Sequence, residues 1–86
     1  MSVAINNATI KGEVSVTPAD DTEVAAPYND GFYIGSTGAI TFSYIDTPTV
    51  KHLKSFNTGD TWFGEIYSID ATGTTATLIT GLRLNR

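Results

Sequence analysis

Few residues of this 86-residue chain have side chains that could perform chemistry. The chain contains one histidine, His52, and no cysteine. A histidine acts as a general base only when geometry supplies its partners. No serine or carboxylate stands at a spacing from His52 that is typical of a catalytic triad. We therefore predict a solvated or interfacial strand histidine at this position, and no catalytic residue in the chain.

The densest group of carboxylates lies in the segment Asp20-Asp21-Thr22-Glu23. Carboxylate oxygens are ligands for hard cations, but the spacing of a calcium-binding loop, with its central glycine and terminal glutamate, is missing. The lack of cysteine excludes disulfides and thiolate metal sites, and a single histidine cannot form a histidine cluster. The sequence therefore predicts a solvated acidic loop, no metal site and no bound cofactor.

Aromatic side chains are the remaining candidates for binding. Trp62 and Phe63 are neighbours, so in a strand they must face opposite sides, and one of them points away from that strand's core face. Aromatic residues are enriched at protein contacts, and they also stack on sugars. The interface candidates are Trp62, Phe63, Tyr33, Tyr44 and His52.

Charge and hydropathy argue against two classes of partner. The formal net charge is −4, and of the five basic residues only Lys51 and Lys54 lie close together, whereas a nucleic-acid footprint needs a basic stripe. No apolar run approaches the ~20 residues that cross a bilayer. Residues 1–7 lack the basic start and apolar core of a secretory signal. We expect neither a nucleic-acid partner nor a membrane partner.

The elements that must position these side chains are predicted to be strands. Thr, Gly, Ser, Asn and β-branched residues dominate the chain, and no long stretch shows helical apolar spacing. Alternating apolar and polar residues indicate six or seven short strands. The expected fold is all-β, a small antiparallel sandwich or barrel that forms one domain over residues 1–86.

The clearest pattern predicts a hairpin from Phe32-Tyr33-Ile34, through the turn Gly35-Ser36-Thr37-Gly38, to the alternating run Ile40–Tyr44. The other expected elements are a connecting loop over 18–29, a turn at Asp46–Pro48, a strand Val50–Phe56, a turn Asn57–Asp60, a strand Trp62–Ile69 with a bulge near Tyr67 or Ser68, a turn Ala71–Thr74, and a closing strand Ala76–Leu84.

A domain of this size has a small core, and disulfides and metals are not available to reinforce it. Contacts between chains are then the natural source of additional stability, so the sequence predicts self-association. Residues 1–17 are expected to supply one or two ordinary strands or, alternatively, an arm exchanged with a neighbouring subunit.

Residues 16–82 contain four pieces whose order resembles the small spike base proteins of tailed phages and gene transfer agents. In that family a Thr-Pro-Ser/Ala-Asp opening leads to a Tyr-Val-Gly-Thr-x-Gly hairpin, a strand ending in a Pro-Ala-Gly-type turn, and an Ala-Thr-Gly-Thr-Thr-Ala-Thr turn before the last strand. The corresponding pieces here are Val16–Val24, Phe32–Gly38, Val50–Gly59 and Ala71–Thr77.

The resemblance implies a non-enzymatic virion protein on the capsid surface, made in the host cytoplasm. Its subunits would form a ring, a trimer or pentamer, that contacts the major capsid protein or carries a spike fibre. Capsid decoration, capsid cementing and the base of a head spike all fit this expectation. The alternative reading of the residues is a carbohydrate- or receptor-binding β module, in which the aromatic side chains form the binding surface.

Overall fold

The computed structural model describes residues 10–84, and within them every regular element is a strand. The strands are β1 (Ile10–Val16), β2 (Gly31–Ser36), β3 (Gly38–Tyr44), β4 (Thr47–Phe56), β5 (Thr61–Phe63), β6 (Ile66–Asp70) and β7 (Thr77–Leu84). They form a four-stranded sheet in the order β1-β7-β2-β5 and a three-stranded sheet in the order β4-β3-β6. All pairs are antiparallel. The predicted all-β fold is confirmed, in the form of a small sandwich.

The core lies between the two sheets and follows from strand alternation. Phe32 and Ile34 of β2 and Ile40 and Phe42 of β3 are fully buried or nearly so. Because every second residue of a strand points to the same face, these four side chains meet between the sheets. Other strands, the segment before β2 and the loop before β7 complete the cluster with Val24, Phe56, Ile66, Ile69, Ala76 and Ile79.

The predicted hairpin of residues 32–44 is wrong. β2 pairs with β5 and β7, whereas β3 pairs with β4 and β6, so the chain crosses from one sheet to the other at Thr37. Thr37 is held there by Thr58: each backbone N–H donates to the other residue's Oγ1, at 3.1 and 3.0 Å. Gly38 packs directly against the backbone of Ala76, where a Cβ would not fit. The close approach of two backbones is the reason for glycine at this position.

The predicted continuous strand Trp62–Ile69 is also wrong, because it consists of two strands in different sheets. β5 ends at Phe63 in the four-stranded sheet, and β6 begins at Ile66 in the three-stranded sheet. The chain crosses between the sheets at Gly64-Glu65, which accounts for part of the break in alternation. The predicted bulge near Tyr67 or Ser68 is confirmed in β6: Ser43 pairs with Ser68 and Tyr44 with Ile66, so Tyr67 is the extra residue between these two pairs.

Two predicted turns and the closing strand are confirmed. At 57–60, the Asp60 N–H donates to the Asn57 carbonyl at 3.0 Å, and Gly59 has a φ of +92°. At 71–74, Gly73 has a φ of +86°. These left-handed conformations cost glycine little. The closing strand is confirmed as β7, which begins at Thr77.

Two further elements differ in detail from expectation. The hairpin of this fold joins β3 and β4, with Tyr44 paired to Thr47, so β4 begins where the sequence predicted the turn at Asp46–Pro48. The connecting segment 18–29 has no strand of its own but forms one isolated bridge, Glu23 to Ser68, and contains a cis peptide bond between Ala26 and Pro27.

The described part of the predicted N-terminal strand or arm is β1, which pairs with β7 of the same chain from Ile10↔Leu84 to Val16↔Ile79. Residues 10–16 thus behave as an ordinary first strand in the structure. The prediction of an exchanged arm also covers residues 1–9, which lie outside the described residues, and there it stays a prediction.

Candidate functional site

An aromatic cluster fills one side of the sandwich, where β5 lies over β3 and β4. The Trp62 ring centroid is 6.0 Å from the centroids of both Phe42 and Phe56. The indole N–H of Trp62 donates a hydrogen bond to the Tyr44 Oη at 2.9 Å. The Lys54 ammonium lies over the indole ring, 5.1 Å from its centroid, in a cation–π contact. This cluster therefore links the two sheets and covers part of the tryptophan surface.

His52 joins the same cluster from β4. It is paired with Phe42 in the β3–β4 register, so both rings face the core side. Its ring centroid lies 5.5 Å from Phe42 and 5.2 Å from Tyr44. The structure thus brings together three of the five sequence candidates, Trp62, Tyr44 and His52.

The other two candidates, Tyr33 and Phe63, lie on the opposite face of the four-stranded sheet. Tyr33 is paired with Thr61, and Phe63 with Gly31, so these residues share the face that points away from the core. Trp62 and Phe63 consequently face opposite sides. Tyr33 is exposed and lines a surface depression of about 430 Å³ together with Ile10, Glu13, Thr61 and Leu82.

A polar cluster that the sequence did not indicate lies on the outer face of the three-stranded sheet. The Lys51 Nζ is 2.7 Å from the Asp21 Oδ1 and 2.9 Å from the Asp70 Oδ2. The Asp70 side chain is only 7% exposed. Hydrogen bonds to Asp21 first, and then to Asp70, raise the pKa of Lys51 above its ordinary value. Lys51 is therefore held protonated, which makes its amine a poor nucleophile.

Two buried serines lie beside this ion pair. The Ser43 and Ser68 hydroxyls are 2.7 Å apart, and both side chains are fully buried. The segment before β2 borders the same sheet, because the Ala19 N–H donates to the Ile69 carbonyl and the Val24 N–H donates to the Tyr67 carbonyl. One of these hydroxyls donates to the other, so each buried serine has a hydrogen-bond partner. The cluster is suited to holding this segment in place.

Asp20 and the threonines of the 71–77 segment connect parts of the chain that are distant in sequence. Thr72 donates twice to the Asp20 carboxylate, from its backbone N–H at 2.8 Å and from its Oγ1 at 2.6 Å. These hydrogen bonds, the side-chain one first, lower the pKa of Asp20. The Thr74 and Thr75 hydroxyls accept backbone hydrogen bonds from Thr41 and Ala39, each at 2.9 Å.

The acidic segment 20–23 is therefore not simply solvated, as the sequence predicted. Asp20 binds the turn at Thr72, and Asp21 binds Lys51. Among residues 10–84, no group of three or more His, Cys, Asp or Glu side chains is arranged to hold a metal ion. The two aspartates fix loops in the structure as described.

Two of the four sheet edges are long and open within residues 10–84. β1 has seven residues and β4 has ten, and each has a described neighbour on one side only. Val50 and Leu53 of β4 are 49% and 64% exposed, and Ile10 and Val14 of β1 are exposed as well. Exposed apolar side chains on open strands are typical of surfaces that pair with another chain.

No helix in the described part of the chain is long and apolar enough to span a membrane. No protein-family model, curated protein or solved structure matches the chain.

Proposed function

We propose that this chain is a non-enzymatic structural subunit of a virion, which decorates or cements the capsid surface or forms the base of a head spike. One observation carries the proposal. The four pieces whose order resembles the spike base proteins are joined in pairs, since Thr72 of the last binds Asp20 of the first, and Thr58 of the third binds Thr37 of the second. These contacts between the similar pieces support the proposal.

The surface of the domain supports an assembly role. The core is one small cluster between two sheets, while Val50 and Leu53 remain in solvent on the longest strand. Covering such side chains with another subunit removes apolar surface from water and adds stability that this core alone lacks. The partners in this proposal are further copies of the chain, in a trimer or pentamer, and the major capsid protein or a spike fibre.

The groups best suited to chemistry have structural contacts. Lys51 is held in its protonated form by Asp21 and Asp70. His52 packs against the rings of Phe42 and Tyr44. These contacts favour a binding role over catalysis.

The second candidate is a carbohydrate- or receptor-binding module. The residue that favours it is Tyr33 rather than Trp62. Lys54 lies over the Trp62 ring, on a face that a sugar would need for stacking. Tyr33 is exposed beside polar Glu13 and Thr61 in the surface depression, and an exposed tyrosine ring can stack on a sugar while its hydroxyl bonds to it.

The proposal is tested on the particles produced by the virus or gene transfer agent that encodes the chain. Antibodies against the purified domain should label the outer surface of intact particles in electron micrographs, and peptide mass spectrometry should detect the chain in gradient-purified particles. Absence of the chain from those particles would overturn the proposal. Glycan-array binding that disappears in Tyr33→Ala but persists in Trp62→Phe would favour the second candidate.

A further inference from the structure

The sandwich has four sheet edges, and within the described residues one of them is very short and another is covered. β5 has only three residues. The free side of β6 is covered, because the Ala19 N–H donates to the Ile69 carbonyl at 2.9 Å and the Val24 N–H donates to the Tyr67 carbonyl at 2.7 Å. Short or covered edges do not recruit another strand. The edges that remain for pairing are β1 and β4.

The β4 edge lacks the charged side chains that normally discourage strand pairing. Edge strands of soluble proteins are commonly protected by lysines that project into solvent. Here Lys51 turns back to Asp21 and Asp70, and Lys54 lies over the Trp62 ring. The most exposed apolar side chains on this strand are Val50 and Leu53. The edge is thus apolar, and its lysines are occupied within their own chain.

Charge favours β1 over a second β4 as the strand that meets this edge. β4 contains two lysines and no carboxylate. Two β4 strands side by side would bring like charges together, which is unfavourable. β1 contains one lysine and one glutamate, Lys11 and Glu13, so its formal charge is zero, and its apolar residues Ile10 and Val14 are exposed. A neutral β1 edge therefore avoids this repulsion and offers apolar surface for Val50 and Leu53.

The positions of the two edges allow every copy to use both at once. Val16 of β1 and Ile69 of β6 line the same groove, so β1 lies on the β6 side of the sandwich. Trp62 of β5 packs under Lys54 of β4, so β4 lies on the β5 side. The open edges are thus at opposite sides of the domain. Contacts between two different surfaces of identical subunits generate closed rings when the rotation closes.

We propose that copies of this chain assemble head to tail, with the β4 edge of one copy paired to the β1 edge of the next. This inference rests on the self-association in the proposed function and names the surfaces that carry it. It requires the chain to form a discrete ring without the capsid. Each copy contributes β1 to one neighbour and β4 to the other.

Cysteine cross-linking tests the pairing, because the natural chain has no cysteine. Ser15→Cys places a thiol on β1 and Ser55→Cys places one on β4, both at exposed positions. A short bis-maleimide linker should join the two variants when they are mixed, and each variant alone should give little homodimer. Homodimers of Ser55→Cys as the main product would show β4–β4 pairing and overturn the proposal.

A charge substitution gives an independent measurement of the same contact. Leu53→Lys should weaken the dissociation constant of the ring about tenfold or more, as the loss of a central interface side chain does. Light scattering after size-exclusion chromatography, over a dilution series, measures this change. The matched control is Leu78→Lys, which alters a leucine that is 74% exposed on the central strand β7. Circular dichroism verifies that both variants fold.

The outcomes separate this inference from the proposed function. A wild-type chain that stays monomeric at all concentrations, or a ring that Leu53→Lys leaves unchanged, overturns the β1–β4 pairing. Either result leaves the particle-labelling experiment free to support a virion role. Conversely, a ring with β1–β4 cross-links that is absent from virions would keep the pairing and overturn the proposed function.

Discussion

Trp62 in one sheet donates its indole hydrogen bond to the hydroxyl oxygen of Tyr44 in the other sheet, across 2.9 Å. Both side chains also pack against Phe42, with centroid distances of 6.0 and 5.5 Å. A directional bond inside an aromatic cluster fixes how the two sheets are placed relative to one another, whereas apolar packing alone is non-directional. The aromatic cluster is therefore part of the structural core that holds the two sheets together.

Removing this hydrogen bond should destabilise the domain in a non-additive way. We expect Tyr44→Phe to lower the free energy of unfolding by about 1 kcal/mol, because the half-buried indole N–H loses its acceptor. Trp62→Phe costs more, since packing is lost as well. The double variant loses the same hydrogen bond only once. Its loss of stability should therefore be smaller than the sum of the two single losses by roughly 0.5–1.5 kcal/mol. Urea denaturation of the four proteins measures this coupling, and strictly additive effects would contradict it.

Lys51 compensates the charge of the buried Asp70 carboxylate, and the two should be coupled. Lys51→Met leaves that carboxylate, 7% exposed, without its cation, so the urea midpoint should fall. Asp70→Asn in the Lys51→Met background removes the uncompensated charge and should recover part of the loss. Equal midpoints for Lys51→Met and the double variant would show that Asp70 does not depend on Lys51. Asp46→Asn, which removes an exposed carboxylate in the β3–β4 turn, is the control.

The same ion pair predicts how stability changes in alkali. The folded pKa of Lys51 is raised above 10.5, so its stabilising contribution is complete below pH 10.5 and is lost as the pH rises through the folded pKa. Melting temperatures measured across this alkaline range should fall more steeply for the wild type than for Lys51→Met. Parallel alkaline profiles for the two proteins would contradict the prediction.

Asp20 predicts the opposite dependence in acid. Thr72 lowers the pKa of Asp20 below 3.8, so the stabilising contribution of this carboxylate is complete above pH 3.8 and is lost as the pH falls through the folded pKa. Asp20→Asn should therefore melt at a lower temperature than the wild type at neutral pH, and the difference should shrink well below pH 3.8. A difference in melting temperature that does not change with pH would contradict the prediction, because it would show that the charge of the Asp20 carboxylate is not what stabilises the fold.

Leu78 lies in β7 and has a φ of +57°, a left-handed backbone conformation that is unusual for a residue other than glycine. The left-handed conformation costs a non-glycine residue roughly 1–2 kcal/mol, and glycine's extra freedom in the unfolded chain offsets roughly 0.5–1 kcal/mol of the relief. Leu78→Gly should thus raise the free energy of unfolding by about 0.5–1 kcal/mol. Leu78→Ala keeps the strain and is the control. A loss of stability in the glycine variant would show that the leucine side chain has a favourable contact.

Strand alternation was sufficient to predict the class of fold, but it could not predict which strands are neighbours. Ile34 and Ile40 both face the core, and that pattern is the same whether the chain turns back within one sheet or crosses to the other at Thr37. For the same reason, alternation could not predict that the chain crosses to the other sheet after Phe63. Glycine turns at 59 and 73 were predictable because their backbone conformation selects the residue type.

The candidate site was predictable only in part, for a related reason. The aromatic residue types were visible, and Trp62 and Phe63 had to face opposite sides of one strand. The contact between Lys51 and Asp70 depends on the order β4-β3-β6, which periodicity does not encode. Leu53 became a candidate once the structure showed that β4 is an edge strand.

The place of β7 has a consequence for how the chain is made. β7 lies between β1 and β2 and pairs with both of them, although it is the last of the seven strands to leave the ribosome. Until it emerges, β1 and β2 have no common neighbour and the four-stranded sheet cannot form. Non-local pairing of this kind also makes folding slow. Translation that stops before Thr77 thus yields a product that lacks the strand between β1 and β2 and cannot complete the four-stranded sheet.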